Sequence, residues 1–416
     1  MRDFSELGQL RWGDVAHRAS GGARAALETV LASEVGASLT REQCLLLAQT
    51  TGDGLLALAV AADELRRSIA GDTVTYVVNR NINFTNVCFV GCKFCAFSVG
   101  ARDQTAYHLS LEDMARKTRE ARERGATEVC IQGGLPRELP PFYYRDILRA
   151  VKSAVPDMHA HAFSPMEVDY GVALTGMSVR DYFLMMKDAG LDTLPGTAAE
   201  ILSDDVRQIV SRNKLSSARW REIVTTAHEC GIRSTSTMMY GHVETVEHWV
   251  NHLILLREIQ ARTGGFTEFV PLGFVHQNTL LFHEGHARPG PTLDEHVRVH
   301  ALARVMLAGS IPNIQISWVK LTRETAQLCL HAGANDYGGT LMEESISRLA
   351  GATSGEYLSP AQIEERVRAA GRVPAKRNTT YTKKFRVPSS EFRVPAVNLA
   401  VEPDNSKPGT RHSELS

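Results

Sequence analysis

The stretch VTYVVNRNINFTNVCFVGCKFCAF, Val74 to Phe97, decides how the rest of the chain reads. Its first half, Val74–Phe84, is β-branched and aromatic and predicts a strand. Its second half is a loop carrying Cys88, Cys92 and Cys95 in C-x3-C-x2-C spacing, with Phe94 just before the last cysteine. Downstream, one unit recurs: a helix with charged residues, a closing glycine, then a short strand. The helix Leu111–Arg124 has Ser110 and Asp113 placed as a capping box and Gly125 as its stop, and it leads to the strand Thr127–Gln132. By the same signals Tyr143–Ala154 leads to Met158–Phe163, Val179–Ala189 to Leu191–Leu194, and Ala218–Cys230 to Ile232–Met239. Val246–Thr263 then leads to Phe266–Leu272, Leu293–Ala308 to Ile314–Trp318, and Arg323–Ala332 to a short step before Tyr337. With the first strand this makes eight strands separated by seven helices, and Met342–Leu349 begins an eighth helix. The fold class is α/β. Such alternation implies parallel pairing, and eight units imply a closed (β/α)8 barrel of the TIM type; an open doubly wound sheet is the alternative.

Around that core, residues 1–70 read as an N-terminal helical segment with helices at Leu27–Val35, Arg41–Gln49 and Leu55–Ile69. Residues 71–350 form the barrel, and 351–395 a C-terminal extension with one helix, Pro360–Ala370, and a basic stretch, AKRNTTYTKKFRVP, read as a solvated face. FRVP recurs, beginning at Phe385 and Phe392, and residues 396–416 read as a disordered tail.

Three thiolates are an informative number. A cubane iron–sulfur cluster held by three protein ligands keeps one iron open to a small molecule. A structural zinc site wants a fourth ligand at comparable spacing, and the next histidine, His108, lies beyond a charged loop. A zinc knuckle, or a set of buried core thiols, is the alternative.

Bulk properties narrow the class. The 416 residues are 43% apolar and 22% charged, an ordinary globular composition. A formal net charge of −1 argues against nucleic acid or an anionic membrane as the main partner. The N-terminal MRDFSELGQLRWGDV lacks an apolar signal region, and the longest apolar stretch, Leu55–Ala62, is too short to span a bilayer. Seven cysteines, an odd count without a framework, suit a cytoplasmic location, with Cys44, Cys130, Cys230 and Cys329 as small buried residues.

In a barrel of this type the active site forms at the C-terminal ends of the strands. After the second strand come Gln132, Gly133, Gly134 and Leu135, where two glycines let backbone approach a ligand. Near the fourth strand, LPGTAAEI places Glu200 after a glycine turn, with Arg212 and Lys214 further on. The fifth strand ends in TSTMMYGHVET, which offers Ser236, Tyr240, Gly241, His242 and Glu244. His159 and His161 alternate onto one face of the third strand, and Glu268, Asn335 and Asp336 are further polar candidates. For each, a solvated charge, a structural turn or a satisfied core polar group is the alternative.

The cysteine loop resembles the signature of the radical S-adenosylmethionine (SAM) enzymes. The resemblance implies a [4Fe–4S] cluster on Cys88, Cys92 and Cys95, with the open iron chelating the amine and carboxylate of SAM. One electron then splits SAM into methionine and a 5′-deoxyadenosyl radical. Gly133 and Gly134 resemble the family's Gly-Gly-Glu element, which receives the SAM amine through backbone carbonyls; Leu135 stands where that element has its glutamate. Glu200 is implied at the ribose hydroxyls or amine, Lys214 (with Arg212 a rival) at the carboxylate, and the Phe94 backbone at the adenine.

From about residue 70 to 370 the chain is similar to the subgroup containing aminofutalosine synthase, dehypoxanthine futalosine cyclase and both halves of FO synthase. The phrases HAFSPMEV, GLDTLPGTAAEIL, TMMYGHVE, FTEFVPLGFVH and GANDYGGTLMEESI resemble most the half that joins tyrosine to a ribityl-aminouracil. That resemblance implies a radical SAM transferase. Hydrogen abstraction from L-tyrosine and Cα–Cβ cleavage release iminoacetate, and the 4-hydroxybenzyl radical adds to C5 of 5-amino-6-(D-ribitylamino)uracil, on the route to coenzyme F-420. A menaquinone-pathway enzyme acting on futalosine-type substrates is the alternative. Tyr240, His242, Glu244, Glu268, Asn335 and Asp336 become substrate-contact candidates, and the N-terminal helices a candidate cap over the site. The resemblance also implies a flavodoxin or ferredoxin as electron donor. Because one C-x3-C-x2-C occurs in the sequence, it implies a second, deazaflavin-forming radical SAM subunit for ring closure.

Overall fold

A computed structural model describes residues 4, 6–33, 39–382 and 384–386. Its strands are β1 (Thr73–Val77), β2 (Asn79–Asn83), β3 (Glu128–Gln132), β4 (His159–Ala162), β5 (Thr193–Leu194), β6 (Arg233–Tyr240), β7 (Phe266–Gly273), β8 (Asp336–Gly339), β9 (Val373–Arg377) and β10 (Lys384–Arg386). Strands β2 to β7 form one parallel sheet in sequence order, and β10-β9-β1-β8 form a second. The two join through the chain itself, because the expected strand Val74–Phe84 is bent at Val78 into β1 and β2.

The ring closes, but through a seam. The expected strand Ile314–Trp318 makes single bridges, Phe269 to Ile314 and Gln315 to Asp336, rather than a ladder. Gln315 N–H donates to the Phe269 carbonyl and Phe269 N–H to the Asn313 carbonyl, and the Asn313 side-chain amide donates to the Thr267 carbonyl. The chain then tightens into the 3-10 turn Trp318–Lys320.

The helices follow their caps. Tyr143–Ala154 and Val246–Thr263 have the expected bounds, and Ser110 caps Leu111–Glu123 reciprocally with Asp113. Pro165–Thr175 and Asp204–Val210 are additional helices in the connections after β4 and β5. The expected helix Met342–Leu349 begins only at Ile346, since Leu341 and Glu343 adopt left-handed backbone angles (φ 52° and 66°).

The N-terminal segment contains Gly21–Leu31, Arg41–Ala48 and Gly52–Ala70. The end of the expected Leu27–Val35 helix lies outside the described residues, as do the tail and the second FRVP. Gly52–Ala70 packs its buried face, Leu55 to Ala62, on Leu293–Leu307, and Arg41–Ala48 packs on Val246–Thr263. These helices therefore thicken the outer layer of the barrel instead of capping its mouth. Among the described residues no single helix is long and apolar enough to cross a membrane. Arg41–Ala48 with Gly52–Ala70 passes by length and composition, but the pair is bent by 118°.

The C-terminal extension is part of the barrel. β9 lies parallel to β1, from Thr73 opposite Val373 to Tyr76 opposite Lys376. Arg377 then reaches across the lumen to Asp336 on β8 (2.5 and 2.9 Å) and Glu268 on β7 (3.3 Å). Thr379 donates to Glu128 on β3, and the Tyr381 hydroxyl to Glu268. One short segment thus meets side chains from three walls, which identifies Glu128, Glu268 and Asp336 as lumen-facing. It also makes Arg377–Tyr381 the floor, at the end opposite the cysteines. Within the basic stretch expected as a solvated face, Arg377 and Thr379 are buried in this floor, whereas Lys376 is exposed.

Replacing Arg377 by Met strands the Asp336 and Glu268 carboxylates. Removing one partner of a buried pair costs about 3–5 kcal/mol, so the urea midpoint falls well below that of the parent protein at neutral pH. Burial already raises the Glu268 pKa. Without Arg377 the Glu268 carboxyl takes up a proton more readily still, and the deficit shrinks as the pH is lowered.

Candidate active site at the barrel mouth

The strand end that carries the cysteines is anchored by aromatic rings. Phe84 meets Tyr143, Tyr144 and Phe163 edge-on, with ring centroids 5.8–6.3 Å apart. Beyond Phe84 the chain continues beside the segment after β3: Gly134 N–H donates to the Thr85 carbonyl (2.8 Å), and Phe89 N–H to the Leu135 carbonyl (3.0 Å). On its other side the loop is tied by Lys93 N–H to the Val210 carbonyl (2.9 Å) and Leu281 N–H to the Lys93 carbonyl (2.9 Å). The Lys93 ammonium pairs with Glu284 (2.6 Å). Cys88, Cys92 and Cys95 are free and half-buried at this mouth. Among the described residues no three Cys, His, Asp or Glu side chains gather as a single ion requires.

The two glycines are needed for reasons beyond ligand access. A Cβ on Gly133 would lie 2.6 Å from the Phe84 ring, and one on Gly134 would lie 2.2 Å from the Val87 carbonyl oxygen and 3.1 Å from Cys88 Cβ. Behind them sits Glu167, which sequence reasoning missed. It accepts from Gly133 N–H (3.0 Å), Ser164 N–H (2.6 Å) and the Ser164 hydroxyl (2.7 Å). Burial outweighs these bonds and pushes its carboxyl up to about 7. The signal was present in HAFSPMEV, whose Ser164 and Glu167 form a capping box with Pro165 at the first helical position.

Glu200 and Lys214 come together as an ion pair of 2.6 Å, with Arg207 3.4 Å from the other carboxylate oxygen. Glu200 sits at φ 40° in the irregular turn after β5. The Lys214 ammonium lies 5.2 Å over the Phe94 ring, while Arg212 is exposed on the surface. Burial pushes the Cys92 thiol up to about 12, and Lys214 opposes that shift.

The cluster expected after the fifth barrel strand turns inward on itself. The Tyr240 hydroxyl pairs with His296 Nδ1 (2.7 Å), and its ring packs edge-on against Trp249, toward the helical layer. Glu244 accepts from Gly241 N–H, His242 N–H, Trp249 Nε1–H and Arg288. His242 lies 3.2 Å from Glu244, and both side chains are fully buried. Asn335 is likewise committed: its oxygen accepts from Arg304 (2.6 Å) and Ile314 N–H (2.9 Å), and its amide donates to Asn313 (3.2 Å). In this structure Tyr240, Glu244 and Asn335 spend their polar atoms on neighbouring side chains and backbone, while the buried His242 Nδ1 has no hydrogen-bond partner among the described residues. Ser236 spends its hydroxyl on the Glu268 carbonyl.

The lumen below the cysteines is polar. His159 Nε2 and His161 Nδ1 share the Thr193 hydroxyl (2.7 Å each), and Asn79 donates to Glu128 (2.9 Å). Alternation from Asn79 turns Asn81 and Asn83 inward too, and the buried Asn81 oxygen has no partner among the described residues. Both asparagines line a cleft of about 190 Å³, with Tyr107, Leu109, Lys117 and Glu343.

Cysteines at the C-terminal mouth of a parallel barrel define the class: the Radical SAM superfamily matches residues 82–256, and the CofH/MqnC C-terminal region matches 263–390. Members of the superfamily use a [4Fe–4S] cluster and SAM. Two solved structures share the fold: methylornithine synthase (PylB), at TM-score 0.65 and 17% identity over 84% of this chain and 97% of that one, and the FeFe-hydrogenase maturase HydG from Carboxydothermus hydrogenoformans, at 0.67 and 16% over 92% and 88%. In sequence, the chain is 56% identical over 345 residues to the FO synthase of Mycobacterium leprae, covering 83% of this chain and 40% of that protein. It spans about two fifths of the length of such FO synthases. It is 49% identical over 352 residues to the 5-amino-6-(D-ribitylamino)uracil–L-tyrosine 4-hydroxyphenyl transferase of Methanothermobacter thermautotrophicus, covering 85% of this chain and 96% of that one. The chain belongs to this transferase family.

The close approach at Gly134 has a measurable consequence. Gly134→Ala pushes Val87 and Cys88 apart from the β3 loop, so iron retained after anaerobic reconstitution drops severalfold although no cysteine is removed. Gly100→Ala, with nothing within 4 Å of the new methyl, keeps the parent iron content.

Proposed function

We propose that this chain transfers the 4-hydroxybenzyl group of L-tyrosine to C5 of 5-amino-6-(D-ribitylamino)uracil. The observation that carries the reading is the 49% identity across nearly all of a transferase named for those two substrates, on a barrel whose mouth and lumen suit them. Cys88, Cys92 and Cys95 would hold the cluster. Their donor set fits: three free, half-buried thiols on one loop, with the Lys214 ammonium opposing the burial that raises the Cys92 thiol. When bound, the cluster and SAM supply a carbon radical able to abstract hydrogen from tyrosine.

The protein's own contribution is positioning and exclusion of water. Glu167 fixes the Gly133 amide and so aims the carbonyls of the glycine pair toward the SAM side of the mouth. Glu200 holds Lys214 over Phe94, presenting a carboxylate and an ammonium together beside Cys92. Asn81, Asn83, His159, His161 and Gln132 line the lumen with donors and acceptors suited to a uracil edge and ribityl hydroxyls. The Arg377–Tyr381 floor closes the far end. Ring closure to the deazaflavin falls to a second radical SAM activity, and a flavodoxin or ferredoxin supplies the electron.

The test is an anaerobic incubation of the reconstituted chain with SAM, a reductant, tyrosine and the diaminouracil, followed by mass spectrometry. The benzylated uracil and 5′-deoxyadenosine form together, and alanine at Cys88, Cys92 or Cys95 abolishes both. No 5′-deoxyadenosine above the level without substrates overturns the reading, and turnover of a futalosine-type compound instead assigns the chain to menaquinone chemistry. Complete deazaflavin from this chain alone overturns the division of labour.

A further inference from the structure

Lys320 ends the 3-10 turn that follows the seam between β7 and β8, at the same mouth as the cysteines. Its ammonium donates to the Ser347 hydroxyl (2.8 Å), and Ser347 N–H in turn binds the Glu344 carboxylate (3.0 Å). Four other cations around the mouth have a carboxylate: Lys93 has Glu284 (2.6 Å), Lys214 and Arg207 share Glu200 (2.6 and 3.4 Å), and Arg288 has Glu244 (3.1 Å). Among the described residues Lys320 has no ion-pair partner. The charged groups that face it are Glu344, at longer range, and the Cys95 thiol. The residue as a whole is half-buried, while desolvation around its ammonium end presses its pKa below the usual lysine range. One hydroxyl acceptor leaves two of the three N–H donors without a protein partner, and a desolvated charge left uncompensated is costly. A site built this way is completed by an anion.

We infer that Lys320, held in place by Ser347, receives the α-carboxylate of the amino-acid substrate and so selects an amino acid over a decarboxylated amine. The inference rests on the transferase reading above. Of the small molecules in that reading, tyrosine and SAM carry a carboxylate, and the uracil carries none. The Glu200–Lys214–Arg207 group already stands on the SAM side, after β5, whereas Lys320 follows the seam, on the other side of β6 and β7 in the ring. Tyrosine is the ligand left to bring the missing charge.

The test uses the anaerobically reconstituted full chain with SAM bound and no reductant, so that binding is read without turnover. Lys320→Met raises the Kd for L-tyrosine by about 30-fold or more, the loss typical of truncating one partner of a buried charge pair. Tyramine, which lacks the carboxylate, binds parent and variant alike. SAM affinity, iron content and the electron paramagnetic resonance signal of the separately reduced cluster stay unchanged. Lys320→Arg keeps the charge and binds tyrosine more tightly than Lys320→Gln, a comparison that stands even where the methionine variant fails to fold. Unchanged tyrosine affinity in the neutral variants overturns the inference, as does loss of SAM affinity or an altered cluster signal with tyrosine binding intact. A parent protein that binds no tyrosine overturns the transferase reading and this inference together; a parent that binds it while Lys320→Met binds it equally well overturns this inference alone.

Discussion

Between Gly134 and the Val87 carbonyl there is no room for a methyl group, and that closeness fixes where the cysteines lie. Parallel pairing of β2 with β3 continues past the strand ends as bonds from Gly134 to Thr85 and from Phe89 to Leu135. The cysteine loop is therefore held by backbone against the segment after β3, with the Phe84 ring wedged beneath Gly133. A side chain at either glycine would lift the loop from its support. Glu167 completes the arrangement from behind: its carboxyl, costly to ionise where it is buried, is retained because it binds the amide of the first glycine and the start of its own helix at once.

Charge is distributed unevenly between the two ends of the barrel. At the floor, Glu268 and Asp336 share one guanidinium, Arg377, Glu128 lies close by, and burial lowers the pKa of the nearby His159 and His161. Tyr381, Gln315, Thr379 and Asn79 donate to the carboxylates that Arg377 does not satisfy fully. Such a network tolerates burial because nearly every oxygen has a donor. At the mouth the balance is carried by local pairs; the buried Asn81 oxygen has no partner among the described residues, and Lys320 has a hydroxyl but no ion-pair partner.

Much of this was legible in the sequence where local rules operate. Capping boxes and closing glycines gave helix bounds to within a residue or two at Leu111–Glu123 and Val246–Thr263, and the cysteine spacing pointed to the superfamily whose model matches residues 82–256. Pairings set by tertiary contact were not legible. Nothing local distinguishes the KRNTTYT segment from a solvated basic stretch until β9 is seen beside β1, because its burial depends on carboxylates more than 100 residues earlier on β3 and β7. Tyr240 and Asn335 illustrate the converse. A polar residue at a strand end has two faces available, and only the positions of His296 and Arg304 on the helix Leu293–Leu307 show that both turn outward.

The two matched regions divide the site along the chain. Residues 82–256 contain the cysteines, the glycine pair, Glu167, Glu200 and Lys214, all on the arc from β2 to β6. Residues 263–390 contain Glu268, Lys320, Asp336, Arg377 and Tyr381, on β7, the seam, β8 and the floor. In the proposed reading the first arc generates the radical and the second selects what it meets. The bend at Val78 makes this separation possible. By letting β1 pair with β8 and β9 while β2 pairs with β3, it inserts a C-terminal strand into the ring at the floor and leaves the mouth of the first arc undisturbed. Substitutions in β9 therefore act on the lower lumen, at the end of the barrel opposite the cysteines.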